Sequence, residues 1–146
     1  MNASRPRVLV VEDSAAMRGL VTATLENGGA YEVTQAQSGF DALRRLPRSS
    51  FDLIITDINM PDINGLELIH AIRQQARHRR TPLVVITAND RDRDVERALK
   101  LGASAVLTKP FTGDDLLETV ARACASARER DLPPGESGHG GEERSG

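Results

Sequence analysis

Five residues in this chain could do phosphoryl or metal chemistry if folding brought them together: Glu12, Asp13, Asp57, Thr87 and Lys109. Three carboxylates at close quarters repel one another, and without a partner one of them takes up a proton, so the grouping is costly unless a cation occupies it. An all-oxygen ligand set suits magnesium, with manganese as the alternative, and magnesium commonly takes one or two carboxylates, several waters and a phosphate oxygen. Lys109 is one of only two lysines beside seventeen arginines. Its compact ammonium suits a point contact to a phosphoryl group. Thr87 offers a small hydroxyl to a phosphoryl oxygen, and Ala88 beside it leaves room for that group. Taken singly, each residue has a plainer explanation: an Asp at the end of a strand is usually a helix cap or turn acid, and Lys-Pro is usually a turn. What distinguishes them is where they stand in the chain.

Each follows a short apolar run. Phe51-Asp52-Leu53-Ile54-Ile55-Thr56-Asp57 reads as an interior strand that breaks into the turn residues Asn59-Met60-Pro61-Asp62-Ile63-Asn64-Gly65. Arg7 to Val11 precedes Glu12 and Asp13, Pro82 to Ile86 precedes Thr87, and Ala105 to Thr108 precedes Lys109. Tyr31 to Ala36 alternates in polarity, as expected of an edge strand. Between these runs lie helical patterns with apolar faces: Met17, Leu20, Val21 and Leu25, stopped by Gly28-Gly29; Phe40, Leu43 and Leu46 after a Ser38 cap; Leu66, Leu68, Ile69 and Ile72 from Asn64-Gly65. Two more follow, with Val95, Ala98 and Leu99 inward up to Gly102, then Leu116, Leu117, Val120, Ala121 and Cys124 after Thr112 or Gly113. Arg77-His78-Arg79-Arg80 reads as the solvated basic end of the third helix rather than a nucleic-acid contact.

Five strands alternating with five helices predict an α/β fold with a doubly wound parallel sheet. Such a sheet gathers the C-terminal ends of its strands, and with them all five residues, on one rim, where open α/β sheets place their ligand sites.

The 146 residues suffice for one domain and one core. A net charge of -2 argues against a surface that coats nucleic acid. Residues 131 to 146 hold one Arg against four acids and are rich in Gly, Pro and Ser, so the expected division is a folded unit over 6–130 and a disordered acidic tail over 131–146. The single cysteine, Cys124, lies on an apolar helical face, reads as core, and permits no intramolecular disulfide. The apolar run Val8 to Val11 is too short for a signal or membrane segment, so a cytoplasmic protein is expected.

The chain resembles the receiver domain of bacterial two-component response regulators, of the chemotaxis type, across roughly residues 6 to 128. The resemblance rests on Val10-Val11-Glu12-Asp13-Ser14, Asp57-Ile58-Asn59-Met60-Pro61 with Gly65, Thr87-Ala88, and Leu107-Thr108-Lys109-Pro110-Phe111. It implies the flavodoxin-like strand order 2-1-3-4-5. It implies Asp57 as phosphoacceptor from a histidine kinase or phosphotransfer protein, with Glu12, Asp13, Asp57 and the backbone carbonyl of Asn59 holding magnesium. Thr87, Ala88 and Lys109 would bind the phosphoryl group, and Lys109-Pro110 would be a cis peptide. Val106 stands where the family usually has an aromatic switch residue, so the usual aromatic rotation is not expected. Asn59 and Asn89 occupy positions that tune phosphoryl lifetime in such sites. Ser104 and Ala105 lack the acid common in receivers that dimerise through their last elements, which favours a monomer or weak dimer.

These features point to a stand-alone regulator that signals to a downstream protein by phosphorylation-dependent binding, with no enzymatic activity of its own and no direct DNA or membrane contact. Two alternatives differ in chemistry. A receiver-like scaffold that works unphosphorylated would have no need of the acid pair, Asp57, Thr87 and Lys109. A phosphohydrolase with Asp57 as nucleophile would usually carry a second acid two positions on, where this chain has Asn59.

Overall fold

The β-branched and leucine-rich runs are apolar on both sides of the chain, and a strand of that kind is stable only when covered on both faces. In the computed structural model, which describes residues 5–27, 30–88 and 92–130, that is the arrangement. Strands β1 (Arg7–Val11), β2 (Glu32–Ala36), β3 (Leu53–Asp57), β4 (Leu83–Thr87) and β5 (Ala105–Thr108) form one parallel sheet in the order β2-β1-β3-β4-β5. Helices α1 (Ala15–Glu26), α2 (Gly39–Arg45), α3 (Gly65–Gln74) and α4 (Asp92–Leu101) make the crossovers, and α5 (Gly113–Arg130) follows the last strand and packs back on the sheet. The strand that alternates in sequence, β2, lies at an edge, while every residue of β3 and β4 is buried.

Strand alternation divides the core in two. Leu9, Val11, Ile54, Leu83 and Val85 face one side and pack with Leu68, Ile69, Ile72 and Ala98 of α3 and α4. Val8, Val10, Leu53, Ile55, Val84 and Ile86 face the other and pack with Val21 and Leu25 of α1 and Leu116, Val120 and Ala123 of α5. Each fully buried Leu or Ile contributes about 1.5 to 3 kcal/mol relative to an exposed one, so the sheet is the most strongly held part of the molecule and a firm mount for its strand ends.

Local chemistry sets the helix starts. Ser14, Ser38 and Asn64 accept from the backbone N–H of Met17, Asp41 and Leu66 at 3.2, 3.0 and 2.7 Å. Thr112 and Asp115 cap α5 reciprocally, each side chain accepting the other's backbone N–H at 3.0 Å. Gly102 ends α4 at φ 116°, a left-handed conformation where a side chain would be strained.

The helical faces are narrower than the sequence pattern suggests. Phe40 is 61% exposed and Leu20 54%, and Leu99, Leu117 and Ala121 also face outward. A helix lying on a sheet covers only a stripe, and the stripes run through Gly39 and Ala42 in α2, Val21, Thr22 and Leu25 in α1, Ala98 in α4, and Leu116, Thr119, Val120, Ala123 and Ala127 in α5. Cys124 is half-buried against the second core.

The basic cluster also differs from expectation. α3 ends at Gln74, a 3₁₀ turn spans Ala76–His78, and His78 is fully buried. Its ring stacks on Phe51, with Nε2 3.2 Å from the Ser49 carbonyl and Nδ1 3.2 Å from Thr81 Oγ1. Only its arginine neighbours are solvated. The Gly28-Gly29 stop, Asn89 and the tail at 131–146 lie outside the described residues.

Candidate functional site

The register of the sheet decides which strand ends meet. Val11 pairs with Thr56, Asp57 with Ile86, and Thr87 with Thr108, so the residues that follow β1, end β3 and β4, and follow β5 share one rim. Glu12, Asp13 and Asp57 each present a carboxylate oxygen within 4.8 Å of the others. Lys109 Nζ reaches Asp57 Oδ2 at 3.2 Å from the far side.

The backbone around the site is held at several points. The Ile58 N–H donates to the Ile86 carbonyl at 2.9 Å and the Lys109 N–H to the Thr87 carbonyl at 2.8 Å, which lock the ends of β3, β4 and β5 together. The Lys109–Pro110 peptide bond is cis. The Asn59 N–H donates to Asp57 Oδ1 at 3.1 Å, fixing the carboxylate that Lys109 meets at its other oxygen. Thr87 is buried, Ala88 is exposed beside it, and Val106, paired with Val85, is half-buried against the core under α3 and α4.

The charge balance is informative. Three carboxylates and one ammonium leave two negative charges in a space a few ångströms across. Burial pushes the Glu12 carboxyl up from 4.5 to about 7, opposed by the Ser14 N–H that donates to it and reinforced by the neighbouring Asp57 carboxylate. The site therefore holds its anions under strain, and a divalent cation with a preference for oxygen would cancel the residual charge. The donor set fits magnesium or manganese and offers no nitrogen or sulfur ligand.

Two supporting residues, Arg18 and Asp62, carry no functional signal in the sequence. Arg18 donates to the Glu12 carbonyl at 2.8 Å and to Gln35 at 3.1 Å, tying α1 to β2 beneath the acid pair. Ser104, notable in the sequence only for the charge it lacks, accepts the Leu83 N–H on its hydroxyl at 3.0 Å where β4 and β5 begin, at the end of the sheet away from the site. Asp62 accepts the N–H groups of Gly39 and Phe40 at 3.2 and 2.8 Å and so clamps the loop after Asp57 to the start of α2. Desolvation of the Asp62 carboxyl is outweighed by these N–H donors, which hold it below the usual carboxylate range. The Asp-Ile-Asn-Gly turn composition indicates a loop, but a clamp across twenty-two residues has no local signal.

The family model for the response regulator receiver domain matches residues 8–121. The chemotaxis protein CheY1 of Helicobacter pylori is 36% identical over 115 residues, covering 78% of this chain and 93% of the relative. The CheY homolog of Campylobacter jejuni is 35% identical over 115 residues, covering 78% and 88%. Among solved structures, the chemotaxis response regulator CheY4 of Vibrio cholerae superposes with a TM-score of 0.78 at 35% identity, covering 82% of this chain and 99% of that one. A CheY-like receiver domain protein from Methanospirillum hungatei gives 0.80 at 27% identity, covering 87% and 99%.

Proposed function

The chain belongs to the response regulator receiver family, and we propose that it is a phosphorylation-dependent switch of the chemotaxis type in which Asp57 is the phosphoacceptor. The observation that carries this reading is the position of Asp57: at the C-terminal end of a fully buried strand, one oxygen against Lys109 at 3.2 Å, beside Glu12 and Asp13. Asp57 supplies the attacking oxygen. An O–P bond forms as the donor's P–N bond breaks, and the electron pair returns to the imidazole nitrogen of a histidine kinase or phosphotransfer protein.

Glu12, Asp13, Asp57 and the Asn59 carbonyl are the residues that would hold magnesium, or manganese, and the bound ion would offset the negative charge of the transferring phosphoryl oxygens. Lys109 holds Asp57 in place before transfer and takes a phosphoryl oxygen afterwards. The Asn59 N–H orients the carboxylate by holding Oδ1. Thr87 donates its hydroxyl to a second phosphoryl oxygen, and Ala88 leaves space for it. The aspartyl phosphate carries roughly one and a half to two negative charges where the carboxylate carried one, so the rim gains up to about one charge and three acceptor oxygens. With Val106 in place of an aromatic, Thr87 passes that change to a downstream protein through shifts of the β4 end and α4. The domain carrying this switch is the unit 6–130.

The test is to incubate the protein with magnesium and acetyl phosphate and weigh it. One phosphoryl increment is expected in the natural chain and none in Asp57→Asn. An increment that survives in Asp57→Asn, or fails to appear in the natural chain, overturns the assignment.

A further inference from the structure

At the edge of the sheet opposite Asp57, a groove of about 900 Å³ lies between the N-terminal strand ends and α5. Five residues of β3 at about 3.3 Å each put it roughly 16 Å from the phosphoacceptor. Tyr31, Ala121 and Ala127 contribute apolar lining, and Arg77, Arg79 and Arg80 contribute basic lining. One acid, Asp52, also lines it, and Asp52 Oδ2 accepts the Arg7 N–H at 2.8 Å. Among the described residues the lining is therefore predominantly basic, three guanidinium groups to one carboxylate.

We propose that the acidic segment 131–146 of this same chain occupies the groove, with its carboxylates on Arg77, Arg79 and Arg80. Charge complementarity is the first ground. The segment carries Asp131, Glu136, Glu142 and Glu143 against Arg144 alone. Proximity is the second, because α5 runs to Arg130 and Ala127 lines the groove. Three residues at about 1.5 Å rise bring the start of the segment within roughly 5 Å of the groove wall. A Gly-rich chain spans about 5 to 6 Å times the square root of its length, so Glu136 lies about 12 Å and Glu143 about 20 Å from the segment's start. Both distances fit a groove that begins beside that start. Leu132, Pro133 and Pro134 meanwhile supply apolar surface for Tyr31 and Ala121.

Single exposed ion pairs stabilise little. Several pairs formed by a segment tethered next to its site act together at an effective concentration of the order of millimolar. The segment then covers the sheet's N-terminal edge and leaves the phosphoacceptor rim open.

The experiment uses the full chain, labelled with ¹⁵N, carrying Cys124→Ser and a nitroxide on Ser137→Cys. At low salt the amide signals of residues 77–81 should lose intensity while those around Asp57 keep theirs. The loss should disappear in Arg77→Gln/Arg79→Gln/Arg80→Gln and in 0.5 M salt. As a check independent of the label, Glu136→Gln/Glu142→Gln/Glu143→Gln in the otherwise natural chain should shift the same amide signals. Uniform intensity at low salt, or a loss indifferent to the arginine substitutions, overturns the proposal. So does a loss that appears only when labelled and ¹⁵N chains are mixed, since the occupant would then be a second copy.

Discussion

The raised carboxyl of Glu12 predicts that the metal-free protein is less stable at neutral than at mildly acid pH, against the usual trend for carboxylates. The folded state keeps this proton up to about pH 7, whereas the unfolded chain gives it up near 4.5. Between those values the folded state binds more protons, so stability falls as pH rises and levels off above about 7. At about 1.4 kcal/mol for each tenfold change, the ceiling on the loss is about 3 kcal/mol. Glu12 is 3% exposed but stands at the rim, so the observed loss should lie below that ceiling. For a domain of this size, 2 to 3 kcal/mol corresponds to roughly 8 to 12 °C in Tm. The assay is thermal unfolding of the natural chain and of Glu12→Gln in chelator from pH 5 to 8.5. The difference between the two curves removes the titrating groups remote from the site and leaves Glu12 with its immediate neighbours Asp57 and Lys109. Glu12→Gln should gain on the natural chain as pH rises, and added magnesium should close the gap at pH 8. A difference curve that stays flat from pH 5 to 8 would refute the reasoning.

Other perturbations probe other parts of the molecule. His78 titrates in the opposite sense: burial lowers its pKa, so the unfolded chain takes up the proton first. The stability it contributes is complete above about pH 6.5 and declines below, and the natural chain minus His78→Leu difference in denaturant midpoint should show that acid-side slope. In Gly65→Ala the new Cβ would collide with the Ile58 Cα and meet the Asp57 carbonyl at 2.7 Å, both backbone atoms that cannot swing aside. A loss of about 2 to 3 kcal/mol in urea unfolding is expected, together with slower gain of the phosphoryl increment, because the displaced atoms carry Asp57. Lys109→Ala removes the ammonium that meets Asp57, so calorimetry should find tighter magnesium binding while acetyl phosphate labels the variant more slowly. Asp62→Ala removes the acceptor for two N–H groups at the start of α2, and urea unfolding should register a cost of about 1 kcal/mol.

The fold is legible in the sequence because its signals are local. Continuous β-branched runs announce strands covered on both faces, and the alternation of β2 announces an edge. Ser14, Ser38 and Asn64 mark helix starts because a cap bonds to a backbone group two or three residues away. The residues that depart from expectation share one cause. Phe40, Leu20, Leu99, Leu117 and Ala121 fit a helical period, yet period alone does not say how wide a stripe the sheet will cover. His78 misleads for a related reason: beside three arginines it looks solvated, and only the fold lays its ring on Phe51 and against the Ser49 carbonyl.

At the site, the sequence determined the chemistry available: acids, a hydroxyl and a lysine, each closing an apolar run. The pattern of parallel strands also determined that these ends would share a rim. The tertiary structure decided the distances and the charges. Whether three carboxylates lie 4.8 Å or about 10 Å apart depends on sheet register and twist, and Coulomb repulsion and burial are steep over that range. The elevated Glu12 proton, the Lys109 contact to Asp57 and the Asp62 clamp on α2 exist only once residues 22 to 52 positions apart are brought together.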